Sequence, residues 1–210
     1  MDLVAASEHV AAADPAMAAL VDIVGPCTLK PRRLAGGHFG ALARSILYQQ
    51  LAGKAAASIH ARFLALFEDG SPTPEAVLAL PDVALRGAGL SGSKAASIKD
   101  LAAKVLDGSV RLDGIGRRPD EEVVERLCQV RGIGRWTAEM FLMFTLGRPD
   151  VWPTGDYGVR KGWAVVHGRP EAMPTPKELE VAGEAYRPYR SVAAWYCWRA
   201  LEVSPPAQGW

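Results

Sequence analysis

Leu127-Cys128-Gln129-Val130-Arg131-Gly132-Ile133-Gly134-Arg135-Trp136-Thr137-Ala138 is the stretch on which the reading of this chain turns. Helical patterns flank it, Glu121–Gln129 before it and Trp136–Leu146 after it. Between them, two glycines bracket one apolar residue, with arginine and threonine following at once. Glycine lets backbone N–H groups approach a phosphate closely, while Ile133 holds the turn against the helices. A plain left-handed helix cap with an apolar residue behind it uses the same glycines. Arg135 and Thr137 at the start of the second helix favour a helix-hairpin-helix, a module that grips phosphates without reading bases.

Outward from the hairpin the dominant period is helical. Ser7–Val24 is Ala-rich with apolar residues at helical spacing, and Gly25–Gly37 reads as a connector. Gly40–Leu51 and Gly53–Phe67 carry apolar stripes. Thr73-Pro74-Glu75 starts a short helix, with threonine as cap and proline at the first helical position. Asp82–Ala88 is another, and Ser91 or Ser93 caps a helix that continues to Leu106. Asp120-Glu121-Glu122 places acids in a first turn, where the helix dipole favours them. Trp136–Leu146 contains the apolar run Leu142-Met143-Phe144, so a helix apolar on all sides is expected in the core. Asp156–Val166, a capping box at Thr175-Pro176-Lys177-Glu178 with a helix to Tyr186, and Arg190–Leu201 complete the chain. Val110-Arg111-Leu112 is too short to build a sheet. The expected class is all-α.

The chain has 210 residues, 49% of them hydrophobic, and a net charge of +1. That length buries a good core in one domain or two small lobes without staples. Near-neutral charge excludes a global field for polyanions, so any nucleic-acid surface is a local patch. Candidates are Lys30-Pro31-Arg32-Arg33, Lys94 with Lys99, Arg117-Arg118, Arg131 with Arg135, and Arg160-Lys161. Cys27, Cys128 and Cys197 are widely separated, so neither a disulfide framework nor an iron–sulfur cluster is expected. With no membrane-length segment and no basic-then-apolar leader, the expectation is a cytoplasmic protein with no membrane partner.

Twenty residues beyond Trp136 stands Asp156, in Trp152-Pro153-Thr154-Gly155-Asp156-Tyr157. An aspartate there is ordinarily a helix cap. The same place keeps a carboxylate ionised, which suits stabilisation of a developing sugar cation. Hairpin and acid together point to an enzyme acting on DNA.

Hairpin, spacing and Pro-x-Gly-Asp-Tyr together resemble the helix-hairpin-helix (HhH-GPD) DNA glycosylase superfamily, and within it the 3-methyladenine DNA glycosylase II (AlkA-type) branch. The resemblance runs from Phe39 to Arg199. It includes Ile46-Leu47-Tyr48-Gln49-Gln50, Gly89-Leu90-Ser91-x-x-Lys94 and Pro188-Tyr189-Arg190-Ser191. It implies two helical lobes with a DNA-binding cleft between them, 38–150 with the hairpin and 1–37 plus 151–210 with the acid. It implies a monomer on double-stranded DNA containing damaged bases, working as a bacterial-type, nucleoid-associated protein. The short N-terminal stretch further implies a minimal form without the β-rich domain of some relatives.

By position, Asp156 resembles the family's catalytic aspartate, and Gln50 the wedge that fills the gap left by a flipped base. Trp136, Met140, Tyr157 and Trp198 fall at the base pocket. Trp136 occupies the place where strand-cleaving relatives carry a Schiff-base lysine, which implies a monofunctional enzyme without lyase activity. Met140 replaces a tyrosine of some relatives, a departure that bears on base choice. Ser45 stands where adenine-mismatch enzymes carry a glutamate, against that activity. Gly132, Gly134, Arg135 and Thr137 are expected at one phosphate, and Gly89, Ser91 and Lys94 at a second. The family also implies a structural Na+ or K+ on the carbonyls of Cys128, Val130 and Ile133, with no cofactor for catalysis. Alkylated bases of the 3-methyladenine and 7-methylguanine type are the expected substrates. Two alternatives stand beside them: a monofunctional glycosylase for uracil, mismatched or deaminated bases, and a non-catalytic DNA-binding protein.

Overall fold

The structure, a computed structural model, describes residues 1–203; positions 204–210 lie outside it. The described residues are helical with no strand. They form two compact units, residues 1–31 with 147–203, and residues 32–146. The division falls at residues 31/32 and 146/147 rather than at the expected 37/38 and 150/151. Arg32 N–H donates to the Phe144 carbonyl at 2.8 Å, fastening the connector before residue 38 to the hairpin unit. At the other boundary Gly147 lies against Pro31 of its own unit.

The first unit contains α1 (Leu3–Ala13), α2 (Pro15–Val24), α10 (Tyr157–Val166), α11 (Pro176–Gly183) and α12 (Arg190–Ala200). The expected single helix over Ser7–Val24 is two helices. Proline at position 15 has no N–H for an i→i−4 bond, and the Asp14 carboxylate accepts from Ala16 N–H at 2.9 Å to start α2. The capping box is present at Thr175 and Glu178, but α11 ends at Gly183 and a 3-10 turn carries the chain to Tyr186.

α10 and α12 approach unusually closely. A Cβ added at Gly162 would lie 1.8 Å from the Cys197 carbonyl oxygen. Gly158 is four residues earlier on the same face of α10, and a Cβ there would meet the Trp198 indole at 2.7 Å. Two missing side chains therefore set the separation of these helices. Buried hydroxyls in the same unit are satisfied. Tyr196 donates to the Gly25 carbonyl at 2.9 Å, and Tyr186 donates to Asp14. His167 bridges the Trp163 carbonyl at 2.7 Å and Asp14 at 2.9 Å. Burial works against charge on Asp14, but bonds from His167 and Tyr186 outweigh it and hold its pKa at about 2.

The second unit contains α3 (Gly37–Tyr48), α4 (Gly53–Leu64), α5 (Pro74–Ala79), α6 (Asp82–Gly87), α7 (Gly92–Leu106), α8 (Asp120–Leu127) and α9 (Arg135–Phe141). α7 packs against α3, α5 and α6, with Ile98, Leu101 and Ala102 fully buried. Each such leucine or isoleucine contributes about 1.5–3 kcal/mol of burial. Thr73 and Ser91 cap α5 and α7 through Ala76 N–H and Lys94 N–H. The expected helix over Trp136–Leu146 stops at Phe141 and widens into a π turn over Leu142–Leu146. Leu142 and Met143 are buried there, whereas Phe144 and Thr145 are only half-buried.

Gly162→Ala should lower stability by about 3 kcal/mol or more, because backbone rather than a flexible side chain blocks the new methyl; thermal unfolding measures it. Asp14 supplies a pH signature. Its folded-state pKa lies below the unfolded value of about 3.8, so its contribution is complete above pH 4 and is lost as pH falls toward 2. Asp14→Asn should melt lower than wild type at pH 7, and the gap should close between pH 4 and pH 2.

Candidate nucleic-acid interface and catalytic carboxylate

In the hairpin unit, α8 ends at Leu127 and Gly132 takes φ +78°, the left-handed region that only glycine enters freely. Ile133 is buried behind the turn, and its N–H donates to the Val130 carbonyl at 3.0 Å. Gly134 then caps α9 through its backbone, leaving α9 to begin with exposed Arg135 and Trp136. Ala138 N–H closes the first turn onto the Gly134 carbonyl at 3.1 Å. Gly132 and Gly134, the residues expected to offer backbone donors to a phosphate, are exposed at this turn.

Two side chains expected at that phosphate are engaged within the protein. Arg135 forms a bidentate pair with Glu121 and stands 3.8 Å from Glu139, and the Glu121 bond raises its pKa. Thr137 is buried, and its Oγ1 accepts from Gln49 Nε2 at 3.3 Å. The second expected phosphate contact is altered more strongly. Lys94 Nζ donates to the carbonyls of Leu47 at 2.7 Å and Gln49 at 2.9 Å, at the end of α3. Gly89 N–H is taken by the Arg86 carbonyl at 2.9 Å, and Ser91 Oγ caps α7. Carbonyls left over at a helix end attract a nearby ammonium, and here that local demand wins.

Beside the hairpin lies a cavity of about 650 Å³, within the same unit. Trp136 and Met140 line it as expected, with Ser45, Gln49, Gln50 and Phe144. Trp136 is 48% exposed at this cavity. Ser45 Oγ donates to the Ala41 carbonyl at 3.0 Å. The sequence reading missed Arg44, whose guanidinium carbon sits 3.8 Å above the Tyr48 ring on the cavity wall. Arg and Tyr at i and i+4 on a helix were the available signal. Across Tyr48, His60 has its pKa lowered by burial and by Arg44.

Gln50 is exposed and has φ +55°, the sole non-glycine residue in the left-handed region among those described. It follows the last turn of α3, at the cavity lip.

In the other unit, Asp156 takes the cap position that its sequence context predicts. It is the N-cap of α10, with Oδ1 accepting from Val159 N–H at 2.7 Å. Trp198 Nε1 donates to the same oxygen at 2.9 Å. Two donors on one oxygen fix the carboxylate's orientation at the positive end of α10, where the dipole complements its charge. Asp156 is 8% exposed. The Trp198 bond exists because Gly158 has no side chain: a Cβ there would also stand 3.1 Å from Asp156 Oδ1. The sequence reading missed Gly158, although a glycine two residues after a functional acid was visible. Tyr157, expected at the base pocket, is 65% exposed at the first position of α10.

Comparison with known proteins gives the family. The model of the HhH-GPD superfamily of base excision DNA repair proteins matches residues 43–188. The DNA-3-methyladenine glycosylase 1 of Schizosaccharomyces pombe is 34% identical over 96% of this chain and 89% of its own length. The solved 3-methyladenine DNA glycosylase of that yeast, in complex with abasic DNA, superposes with a TM-score of 0.83, 34% identity, and coverage of 95% of this chain and 97% of that one. A DNA-3-methyladenine glycosidase from Bacillus halodurans gives a TM-score of 0.83, 34% identity, and coverage of 93% and 88%. With the match spanning the turn after α3, the hairpin and Asp156, this chain belongs to the HhH-GPD superfamily of base excision DNA repair proteins.

Proposed function

We propose that this chain is a monofunctional DNA-3-methyladenine glycosylase of type II, which hydrolyses the N-glycosidic bond of alkylated bases in double-stranded DNA to start base excision repair. The observation that carries the chemistry is the Asp156 carboxylate, held by Val159 N–H and Trp198 Nε1–H at the head of α10. The activity named for the 34%-identical yeast relative supports the substrate class. The reading includes a monomer acting on nucleoid DNA in the cytoplasm.

The target nucleotide leaves the duplex, and its base stacks on Trp136. Alkylation at purine N3 or N7 makes the base cationic, and an indole face attracts it. The bond from C1′ to the base nitrogen breaks with its electron pair going to the base, which departs neutral. Positive charge develops on the deoxyribose, and the fixed Asp156 carboxylate stabilises it. Water adds at C1′, giving up its proton with Asp156 as base, and an abasic strand results. Trp136 brings no amine to the sugar, so no Schiff base forms there and the strand stays intact.

The hairpin turn suits a structural Na+ or K+ held by neutral carbonyl oxygens at Cys128, Val130 and Ile133. The Val130 carbonyl already accepts Ile133 N–H and keeps its second lone pair for a cation. Such an ion would add positive charge at the phosphate and take no part in hydrolysis.

Duplexes carrying 3-methyladenine or 7-methylguanine should release the base and leave a strand that breaks only in alkali. A borohydride-trapped adduct would refute the monofunctional reading, and release of uracil or hypoxanthine alone would refute the alkylated-base reading. Asp156→Asn should bind such DNA with near-normal affinity while single-turnover release falls roughly 10²–10³-fold. Gly158→Ala, which pushes Trp198 from Asp156, should slow release about tenfold; an unchanged rate would remove that bond from the mechanism.

A further inference from the structure

Gln50 sits in a backbone conformation that side chains rarely adopt, and such a residue persists only where its surroundings dictate it. The surroundings are polar and specific. Lys94 Nζ bonds the carbonyls of Leu47 and Gln49, on the residues just before Gln50. Burial lowers the Lys94 pKa from the ordinary lysine value, by desolvation. Gln49 reaches the other way, its Nε2 donating to the Gly132 carbonyl at 2.8 Å and to Thr137 Oγ1. One side-chain amide thereby spans the turn after α3 and both halves of the hairpin.

α7 supplies the base of this arrangement. Residues 94, 97 and 100 follow at intervals of three, on one face of the helix. Ser97 fills the space at Gly132, where a Cβ would stand 2.7 Å from its Oγ. Asp100 Oδ2 accepts from Arg131 N–H at 2.7 Å, and its other partner is Lys104. The one helix face thus touches the Gln50 turn at Lys94 and the hairpin at Ser97 and Asp100. Gln49 closes the triangle.

We infer that Lys94 and Gln49 are positioning residues that lock the Gln50 turn to the phosphate-gripping hairpin, so that seating the hairpin on the backbone drives Gln50 into the duplex. The inference rests on the reading of Gln50 as the inserting residue of a glycosylase. It replaces the direct phosphate contact expected of Lys94. Neither side chain meets the base or the sugar in this account. Their effect is on the insertion of Gln50, which release from a paired duplex requires and release from an unpaired bulge does not.

The test uses the full chain and two probes. One is a duplex with a tetrahydrofuran abasic analogue opposite 2-aminopurine, which reports insertion by fluorescence without any glycosidic bond to cut. The other is single-turnover release of 3-methyladenine or 7-methylguanine from paired duplex and from a single-base bulge, where no base pair has to break. Lys94→Met should slow the fluorescence change at saturating protein at least tenfold. It should slow release from paired duplex about tenfold and from the bulge less than threefold, and Lys94→Arg should restore most of the rate. In a Gln50→Ala background, Lys94→Met should add less than a twofold loss. Equal losses on duplex and bulge, a full further loss in Gln50→Ala, or unchanged fluorescence kinetics would each overturn the inference. If Lys94→Met does not fold, Gln49→Ala carries the same comparisons with the same expected outcomes. Wild-type protein that gives the fluorescence change but releases no alkylated base would refute the proposed activity alone.

Discussion

The approach of α12 to α10 is the constraint on which the setting of Asp156 depends. Without side chains at Gly158 and Gly162, the α10 backbone comes against Cys197 and Trp198. The Trp198 indole then reaches Asp156 Oδ1, and Val159 N–H at the head of α10 supplies the second donor. In the proposed mechanism, a carboxylate on a free rotor would pay orientation entropy as charge develops on the sugar. The two bonds to Oδ1 fix the carboxylate beforehand, which is the physical content of electrostatic preorganisation. The cap role and the proposed catalytic role are one arrangement, since the bond that starts the helix also orients the acid.

The hairpin unit uses a different device. Its turn would be a glycine-ended helix break in isolation, and its charged neighbours are largely occupied with one another. Arg135 is paired with Glu121 and Glu139, so the proposed phosphate grip draws on backbone donors rather than on a field of free cations. That agrees with a chain whose net charge is only +1. Backbone donors work only if held in register, and α7 holds them through Ser97 and Asp100 while Lys94 holds the neighbouring turn. The π turn after α9 adds the last piece, because Phe144 and Thr145 line the cavity from it.

Much of this was legible in the sequence, for identifiable reasons. The caps at Thr73, Ser91 and Thr175 depend on side chains bonding N–H groups three residues on, an interaction contained within the local sequence. Asp156 was legible for the same reason, as a cap after Pro and Gly. The break at Asp14–Pro15 is equally local, since proline at a first helical position after aspartate is a start signal. The π turn carries no such signal. The run Leu142-Met143-Phe144 satisfies an α-helical pattern equally well.

The sequence by itself determined the all-α class, the hairpin between α8 and α9, the acid at the head of α10 and the indole at Trp136, because each is encoded by residues within a turn or two of one another. Tertiary structure alone decided how the polar side chains are spent. Lys94 caps α3 across 47 residues of chain, Gln49 bridges 83 residues to Gly132, and Trp198 reaches back 42 residues to Asp156. Such bonds follow from which helices touch and how closely, and that is set by where a Cβ is missing and which backbone groups are left without partners at a buried helix end.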